Sequence, residues 1–406
     1  MSGAEPARPR VLFVDHTGEL GGAELCLLDV AANAGPGSAV VLFADGPFRE
    51  RLVGAGVPVE VLPAPRAVLG VRRGSSGSVV AVAAGVARLA WRLARTARRF
   101  DVVYANTQKA LVVASVAGAL ARRPVVWHLH DLLTDEHFGR AQRRLVVLLA
   151  RLFVRRVIAN SEATRDAFVR AGGRAATVQV IYNGIEPAPF DAVSDDEASR
   201  VRVGLGAGRA PVVGLFGRIA PWKGHLVLLE AMAELPDVHA ILVGEATFEA
   251  DRDYPEVLRA RAASLGLTDR VHGLGFRDDV PALMRACDVV VHASTSAEPF
   301  GRVIVEGMLA GRPVIATRAG GAVELVDDGV TGLLTPPGDA DALRDAITRL
   351  LTNAPLATRL GASGRASARQ RFAPADVRRL IDVAVDAAIR RAPWPPVAAR
   401  QLRRDS

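Results

Sequence analysis

The chain has 406 residues, of which 50% are hydrophobic and 23% are charged, and its formal net charge is +8. This length and composition predict two ordered domains and exclude a globally disordered chain. The two cysteines, Cys26 and Cys287, exclude a disulfide framework and favour a reducing compartment, so we expect a cytoplasmic protein.

The first half of the chain predicts strands that alternate with helices. The predicted strands, in chain order, are RVLFVDH, SAVVLFA, VPVEVLP, DVVYANT, RPVVWHLHD, RRVIANS and VQVIYNG. This alternation is typical of a parallel, doubly wound sheet. The apolar run 11–14 is too short for a signal peptide, and Asn106, Gln108 and Lys109 interrupt the run 102–120, so neither a signal peptide nor a membrane span is predicted.

The positive charge is concentrated in this first half. Through position 186 there are 24 Lys and Arg against 15 Asp and Glu, whereas the remaining 27 and 28 nearly balance. In residues 86–100, Arg88, Arg92, Arg95 and Arg99 share one face of a predicted helix. This face is typical of the solvated side of a helix that covers a sheet. The functional alternative is contact with an anionic acceptor or with anionic lipid, which would place the protein at the inner face of a membrane. Nucleic acid is not expected as a partner, because no aromatic residues alternate with the basic ones.

A change in composition predicts a domain junction around residues 187–210. A segment rich in proline and acid, EPAPFDAVSDDEASR, is followed there by the glycine-rich GLGAGRAP. A second alternating series then reads PVVGLFGR, VHAILVGEA, RVHGLG, DVVVHAS, RPVIATRAG and TGLLTPPGD. We therefore predict an α/β protein with Rossmann-like domains at residues 1–190 and 205–372, which face a central cleft. Residues 373–406 are expected to form a helix that returns to the first domain, with a basic tail.

A glycine-rich turn follows the first predicted strand. GELGGAE, residues 18–24, places Gly21 and Gly22 directly before a helix. It lacks the G-x-G-x-x-G spacing, so no dinucleotide site is predicted. A turn without side chains lets backbone N–H groups approach a substrate oxygen or phosphate, although a simple tight turn would need the same glycines.

Two cations precede a predicted helix in the second half. GRIAPWKGH, residues 217–225, holds Arg218 and Lys223, and Lys223 is one of only two lysines among the 51 basic residues. An arginine fork and a lysine point charge beside a helix N-terminus fit a diphosphate group. The P-loop pattern is absent, and a solvated basic loop is the structural alternative.

Two glutamates flank a predicted helix start in EPFGRVIVE, residues 298–306. Glu298 precedes the helix, Gly301 stands at its N-terminus, and Glu306 lies inside it among apolar residues. A glutamate in an apolar helix needs a hydrogen-bond partner, which a ribose diol or a structural partner would supply. Free N–H groups at the helix start fit a hydroxyl or phosphate group. Glu298 follows a predicted strand, as do Gly21, Arg218 and His130. Open parallel sheets bind ligands at the carboxyl ends of their strands.

These segments resemble the retaining, nucleotide-sugar-dependent glycosyltransferases of the GT4 family, which have the GT-B fold. EPFGRVIVEGMLAGRPVIATRAGG looks like the Glu-x7-Glu segment of that family. The similarity extends over nearly the whole chain through GGAE, VVYANT, HLHD, VIANSEATRDAFV, VIYNGI, GRIAPWKGH, LVGE, VHGLGFRDDVPALMRACDVVVHAS and GGAVELVDDGVTGLLTPPGD. The resemblance implies an acceptor-binding first domain and a donor-binding second domain.

The resemblance also implies roles for individual residues. The implied catalytic residues are His130, Glu298, Arg218 and Lys223. The implied donor-binding residues are Gly21, Gly22, Arg218, Lys223, Glu298, Phe300, Gly301, Arg302, Val303 and Glu306. Glu298 would contact the donor sugar, Glu306 the ribose, and the two cations the diphosphate. His16, Asn106 and Lys109 are assigned to the acceptor, and Glu324 is a further candidate whose alternative is a helix cap.

The implied reaction transfers a hexose from a UDP- or GDP-sugar to a small-molecule, lipid or glycan acceptor, with retention of configuration. Front-face attack assisted by the departing phosphate is favoured over a covalent intermediate on Glu298. Neither a cofactor nor a metal is expected, because the acidic pair at 251–253 does not follow a strand. A nucleotide-sugar epimerase or hydrolase and a non-catalytic binding module remain as alternatives.

Overall fold

The computed structural model describes residues 8–65 and 79–391, apart from the side chains of residues 79–81 and 249. Within this part all thirteen predicted strands are present, and they form one sheet of seven strands and one of six. The predicted α/β architecture with two Rossmann-like, parallel-sheet domains is confirmed. The basic tail expected at the C-terminus falls on residues 392–406, which lie outside the described residues.

The strands are short and are formed by the apolar runs of the sequence. They are β1 (Val11–Asp15), β2 (Ala39–Leu42), β3 (Val59–Val61), β4 (Val102–Ala105), β5 (Val125–Leu129), β6 (Val154–Ala159), β7 (Val178–Val180), β8 (Val212–Phe216), β9 (His239–Val243), β10 (Val271–Gly275), β11 (Val289–His292), β12 (Val314–Thr317) and β13 (Leu333–Thr335). Valine and isoleucine dominate them, as expected for strands with helices on both faces.

The helices lie between the strands and after them. They are α1 (Gly22–Ala32), α2 (Pro47–Gly54), α3 (Val79–Ala97), α4 (Gln108–Ala121), α5 (Arg140–Phe153), α6 (Glu162–Arg170), α7 (Ala188–Asp191), α8 (Asp195–Gly204), α9 (His225–Ala233), α10 (Tyr254–Ser264), α11 (Val280–Ala286), α12 (Arg302–Leu309), α13 (Ala322–Leu325), α14 (Ala340–Thr352), α15 (Ala354–Arg371) and α16 (Pro374–Arg390). None of the helices in the described ranges combines the length and the apolar character that a membrane crossing requires.

The first compact unit contains the chain up to Gly184 and the C-terminal helix α16. Its sheet has the order β3-β2-β1-β4-β5-β6-β7 with parallel pairing throughout. Helices α3, α4 and α5 cover one face, where Leu93, Leu111 and Val147 pack around Trp127. Helices α1, α2 and α16 cover the other face. The ends of β1, β4 and β5 are therefore neighbours at one edge of the sheet.

The second unit runs from Ile185 to Ala373. Its sheet has the parallel order β10-β9-β8-β11-β12-β13. Side chains of α9, α10, α14 and α15 pack together with the strands in one apolar cluster. The segment expected as a junction forms α7 and α8 within this unit. Strands β8 and β11 are adjacent, so the loops that follow them meet at the carboxyl edge of the sheet.

Candidate functional site

Glu298 lies in the loop after β11 and is only 6% exposed. Three donors meet one of its oxygens, Oε1: the Lys223 ammonium at 2.7 Å, Nε2 of His292 at 2.9 Å and the hydroxyl of Ser294. Within the described part of the chain, no hydrogen bond to the other oxygen, Oε2, is formed. The fold thus joins Lys223 and Glu298, which are 75 positions apart in the sequence, and leaves one carboxylate oxygen for a ligand.

The neighbours of Glu298 keep it ionised. Burial acts to raise the pKa of the Glu298 carboxyl, but the charge of Lys223 and the hydrogen bond from His292 outweigh burial and hold that pKa well below its usual range. The Thr317 N–H lies 3.4 Å from Nδ1 of His292, so Nδ1 accepts and Nε2 carries the hydrogen that points to Glu298. Glu298 is therefore a carboxylate at neutral pH and does not donate a proton.

This charge state predicts a pH-dependent difference in stability between the wild type and Glu298→Gln. A carboxylate with a lowered native pKa contributes to the free energy of unfolding above about 4.3, the pKa of an unfolded glutamate, and loses this contribution as the pH falls toward the native pKa. The Tm difference between the two proteins is expected to be constant near neutral pH and to narrow in acid. A difference that widens in acid would contradict the assigned charge.

Arg218 follows β8, and Lys223 ends the short helical turn Pro221–Lys223. The guanidinium carbon of Arg218 lies 4.3 Å from the centre of the Phe248 ring, and the Lys223 ammonium lies 4.3 Å from the Trp222 ring. Burial lowers the pKa of Arg218, which means that water solvates this cation poorly. Its Nε is buried and has no hydrogen-bond partner among the described residues. Arg218 therefore offers an unmatched donor to an anion.

Two glycines allow the loops of this cluster to approach each other. Gly224, with φ of +76°, directly follows Lys223, and a Cβ there would collide with the carbonyl oxygen of Ala293. Gly320, with φ of +59°, pairs with Glu298 in a short parallel bridge, and a Cβ there would collide with the Glu298 carbonyl oxygen. Both positions need glycine for its backbone conformation and for its lack of a side chain.

Helix α12 begins directly after Gly301, whose φ is +99°, and no side chain caps its N-terminus. Its first N–H groups are therefore available to an acceptor. Phe300 is buried, and Val303 is partly buried. The Glu306 carboxylate accepts a hydrogen bond from Nε of Arg302 at 2.7 Å. Arg302 is thus the structural partner of Glu306, one of the two alternatives that the sequence allowed. A contact between Glu306 and ribose stays a proposal.

In the first unit, Asn106 and His130 form a hydrogen-bonded chain with Asp15. The amide nitrogen of Asn106 donates to Asp15 at 2.7 Å and to the Ala23 carbonyl oxygen at 3.2 Å. The amide oxygen of Asn106 lies 3.1 Å from Nε2 of His130. Because this oxygen can only accept, Nε2 of His130 carries the hydrogen. His16 lies beside this chain, with its Nδ1 3.3 Å from an Asp15 oxygen.

The remaining nitrogen of His130, Nδ1, is buried and has no partner among the described residues. Burial lowers the pKa of His130 to about 4, against the opposing effect of the Asp15 charge. The ring is consequently neutral at neutral pH, with a fixed tautomer and an open lone pair on Nδ1.

Glu24 is a buried carboxyl group in the first turn of α1. Burial and the nearby charge of Asp15 raise its pKa to about 8. The Gly21 N–H donates to this carboxyl group, and a Cβ on Gly21 would lie 2.7 Å from its Oε2. Gly21 therefore makes room for Glu24. Gly22 is the first residue of α1, and Lys109 is half-buried in the first turn of α4.

Several members of these clusters were not predicted from the sequence. His292 and Ser294 stand two positions apart at the end of β11, a spacing that places both on one face of the strand. Asp15 precedes the predicted His16 directly. Glu24 ends the quoted GGAE motif. Glu324 was considered, and it is buried in α13, where its carbonyl oxygen accepts a hydrogen bond from Arg371 at 2.6 Å.

A cavity of about 830 Å³ lies elsewhere in the second unit. Its walls include Pro211, Asp288 and Pro313, which precede β8, β11 and β12, so it opens at the amino edge of the sheet. None of the predicted site residues lines it. We place the candidate site at the Glu298 cluster instead, because open parallel sheets bind ligands at the carboxyl edge.

Two family models match the chain. The model described as glycosyl transferases group 1 matches residues 201–367, and a glycosyl transferase 4-like domain matches residues 21–184. A crystal structure of Anabaena Alr3699/HepE in complex with UDP-glucose is 43% identical, with a TM-score of 0.86, and the match covers 93% of this chain and 100% of that chain.

Curated relatives match over shorter stretches. The lipopolysaccharide core biosynthesis glycosyltransferase LpsE of Rhizobium meliloti is 39% identical over 155 residues, which are 38% of this chain and 44% of the relative. The 2-deoxystreptamine glucosyltransferase of Streptomyces kanamyceticus is 34% identical over 258 residues, 60% of this chain and 65% of the relative. The chain thus spans about half to two thirds of the length of these relatives.

Proposed function

The chain belongs to the glycosyl transferases, whose two domain models together match most of it, and from this premise we propose that it transfers a sugar from a nucleotide-sugar donor to an acceptor hydroxyl group. The observation that carries the proposal is the Glu298 cluster. A buried carboxylate is held in its ionised form with one free oxygen, in the same unit as two partly buried cations, Lys223 and Arg218. A sugar hydroxyl and a diphosphate group satisfy these groups together.

The donor is proposed to be a UDP- or GDP-sugar. The crystal structure that is 43% identical to this chain contains UDP-glucose, which makes UDP-glucose the first donor to test. Arg218 and Lys223 would bind the diphosphate oxygens, and the uncapped N-terminus of α12 adds its N–H groups and the positive end of its dipole. Glu306 would bind the two hydroxyl groups of the ribose, and its hydrogen bond with Arg302 would break when the ribose binds.

The mechanism follows from these charges. As the bond between the anomeric carbon and the phosphate oxygen breaks, negative charge grows on the diphosphate and positive charge on the sugar. Arg218 and Lys223 stabilise the former, and the Glu298 carboxylate stabilises the latter, without rearrangement during the reaction. The acceptor oxygen forms the new bond on the same face, and its proton passes to the departing phosphate oxygen. Configuration at the anomeric carbon is retained, and the residues named here need no metal for this step.

Because Glu298 is ionised and bonded to three donors, a covalent sugar intermediate on it is disfavoured. The oxygen that would attack is either held by those donors or bonded to a sugar hydroxyl. His130 is proposed as a further catalytic residue of the first unit, where its neutral ring presents an unprotonated Nδ1. His16, Asn106 and Lys109 stay assigned to the acceptor.

The acceptor class is tested with a panel. Among the relatives, the Streptomyces enzyme is named for 2-deoxystreptamine and the Rhizobium enzyme for the lipopolysaccharide core. A panel of aminocyclitols, inositol phosphates and glycolipids is incubated with UDP-glucose, and the products are identified by mass spectrometry. Transfer to one class supports the proposal. Nucleotide release without transfer to any acceptor would favour a hydrolase or epimerase, and donor binding without turnover would favour a binding module.

A membrane surface is proposed as an additional partner of the first unit, in the cytoplasm. Helices α3, α4 and α5, which share one layer, contain no acidic residue in their described bounds. Exposed apolar side chains lie on this layer: Trp91, Leu120, Leu145, Leu148 and Leu152. Exposed arginines flank them, among them Arg92, Arg144 and Arg151. Apolar side chains between basic ones fit the interface of an anionic bilayer.

We expect the double variant Arg144→Gln/Arg151→Gln to bind anionic vesicles about 30-fold more weakly than the wild type, because each basic residue near such a surface contributes about 1 kcal/mol. Cosedimentation with vesicles of phosphatidylcholine and phosphatidylglycerol measures this. The matched control, Arg252→Gln/Arg259→Gln, removes two exposed arginines from the second unit and should bind normally. If both double variants lost vesicle affinity equally, the layer formed by α3, α4 and α5 would not be a specific membrane-binding surface.

A further inference from the structure

A cluster of potential metal ligands lies beneath α1 in the first unit. Cys26 of α1, His128 of β5 and His130 each offer one ligand atom, and these three atoms lie within 4.8 Å of one another. Cys26 is 2% exposed and His128 is 1% exposed. The rings of the two histidines are tilted against each other, with their centres 3.9 Å apart.

Each of the two imidazole rings has one buried nitrogen that could bind a metal ion. Nδ1 of His130 is an unprotonated, buried nitrogen, because Asn106 fixes the hydrogen on Nε2. Nε2 of His128 is buried and lacks a partner among the described residues, and Nδ1 of His128 lies 2.7 Å from the Tyr104 hydroxyl. Metal-binding histidines usually give their second ring N–H to such a partner, which orients the ring.

One carboxylate is linked to the cluster through hydrogen bonds. The Asp15 carboxylate accepts a hydrogen bond from Asn106 at 2.7 Å, and the amide oxygen of Asn106 lies 3.1 Å from Nε2 of His130. A negative charge in this position favours a cation at the three ligand atoms.

We propose that Cys26, His128 and His130 form a binding site for a borderline-soft divalent cation of the zinc type. A thiolate and two neutral imidazoles suit Zn²⁺, and a water molecule or a neighbouring oxygen completes four ligands. On binding, the Cys26 thiol loses its proton to solvent and the sulfur forms the bond to the metal, so one proton is released per ion and binding weakens as the pH falls. Asn106 and Tyr104 act as positioning residues.

Bound metal has a consequence that rests on the proposed function. The bound metal would take up the lone pair on Nδ1 of His130, and the proposed transferase reaction uses this lone pair. The cation is therefore an inhibitor of transfer and not its cofactor. Removal of the metal by a chelator is expected to restore the rate.

Cobalt titration tests the site without any assay of transfer. Metal-free, full-length protein is titrated with Co²⁺, and the near-ultraviolet band of a thiolate–cobalt bond is recorded. We expect one ion per wild-type chain and the band in Cys287→Ala, which removes the other buried cysteine. Cys26→Ser should lose the band, and Tyr104→Phe should bind roughly 10- to 100-fold more weakly, as when a partner that orients a ligand is lost.

Circular dichroism of each variant confirms that it is folded. Absence of the band in folded wild type, or its survival in Cys26→Ser, would overturn the site. Inhibition by Zn²⁺ is then measured as the ratio of rates with and without metal for each variant, and this ratio should approach one in Cys26→Ser. A cobalt band in a protein that transfers no sugar would leave the site standing and refute only the proposed function.

Discussion

Glu298→Gln is expected to lower kcat for sugar transfer by about 100- to 1000-fold, the loss typical when one fixed electrostatic group is removed from the transition state. The amide keeps the shape of the side chain but removes the negative charge beside the developing positive charge on the sugar. If the amide oxygen takes the place of Oε1 and accepts from His292, Ser294 and Lys223, the NH2 group replaces the acceptor Oε2 with a donor. A large loss in kcat with a small change in donor KM identifies a group that acts in the transition state.

The matched control is Glu230→Gln, an exposed glutamate of the same unit that pairs with Arg261. Its kcat should equal that of the wild type. If Glu298→Gln also retained wild-type turnover, Glu298 would be a structural residue that does not act in the transition state.

Lys223→Met is expected to reduce both nucleotide affinity and stability. Loss of a charge-assisted contact with the diphosphate should weaken UDP binding by about 10- to 100-fold, or 1.5–3 kcal/mol. The same change leaves the buried Glu298 carboxylate without its cation, which should lower the free energy of unfolding by about 3 kcal/mol. Methionine keeps an unbranched side chain that can still pack on Trp222. Titration calorimetry and denaturant unfolding measure the two effects.

A double variant separates these two roles of Lys223. Lys223→Met/Glu298→Gln removes both charges, so most of the lost stability should return, whereas UDP affinity should stay low. If affinity returned together with stability, Lys223 would only support Glu298 and would not contact the diphosphate. Arg259→Met, an exposed change on α10, controls for the loss of one positive charge.

The sheets could be predicted from the sequence because most strands are short, mainly apolar runs between helices. DVVVHAS and RPVVWHLHD show this, since strands buried on both faces are rich in apolar side chains. The strand ends then placed Arg218, His130 and Glu298 at carboxyl edges without any knowledge of distances.

The contacts within the clusters could not be predicted in this way. The bond between Lys223 and Glu298 depends on how closely two loops approach, which Gly224 and Gly320 permit through positive φ angles. The Arg302–Glu306 pair competes with the ribose role that the motif implied for Glu306. Local spacing does not determine which of several acceptors a long, flexible side chain reaches.

In the first unit, too, the contacts between site residues could not be predicted from the sequence. His16, Asn106 and His130 were named individually as residues after strands, and the structure adds the Asp15 carboxylate that orders them. The tautomer of His130 follows only from the direction of the Asn106 amide. Such directions follow from hydrogen bonds across neighbouring strands, which no single segment of the sequence contains.

The Glu298 cluster, together with Arg218 and Lys223, is expected to bind a nucleotide sugar. A thermal-shift panel of UDP, GDP, ADP and their glucose conjugates on the wild-type chain tests it most directly. We predict a clear rise in Tm with one uridine or guanosine diphosphate and its sugar, and a much smaller rise in Lys223→Met. If no nucleotide changed the Tm of the wild type, the cluster would not be a nucleotide-sugar site.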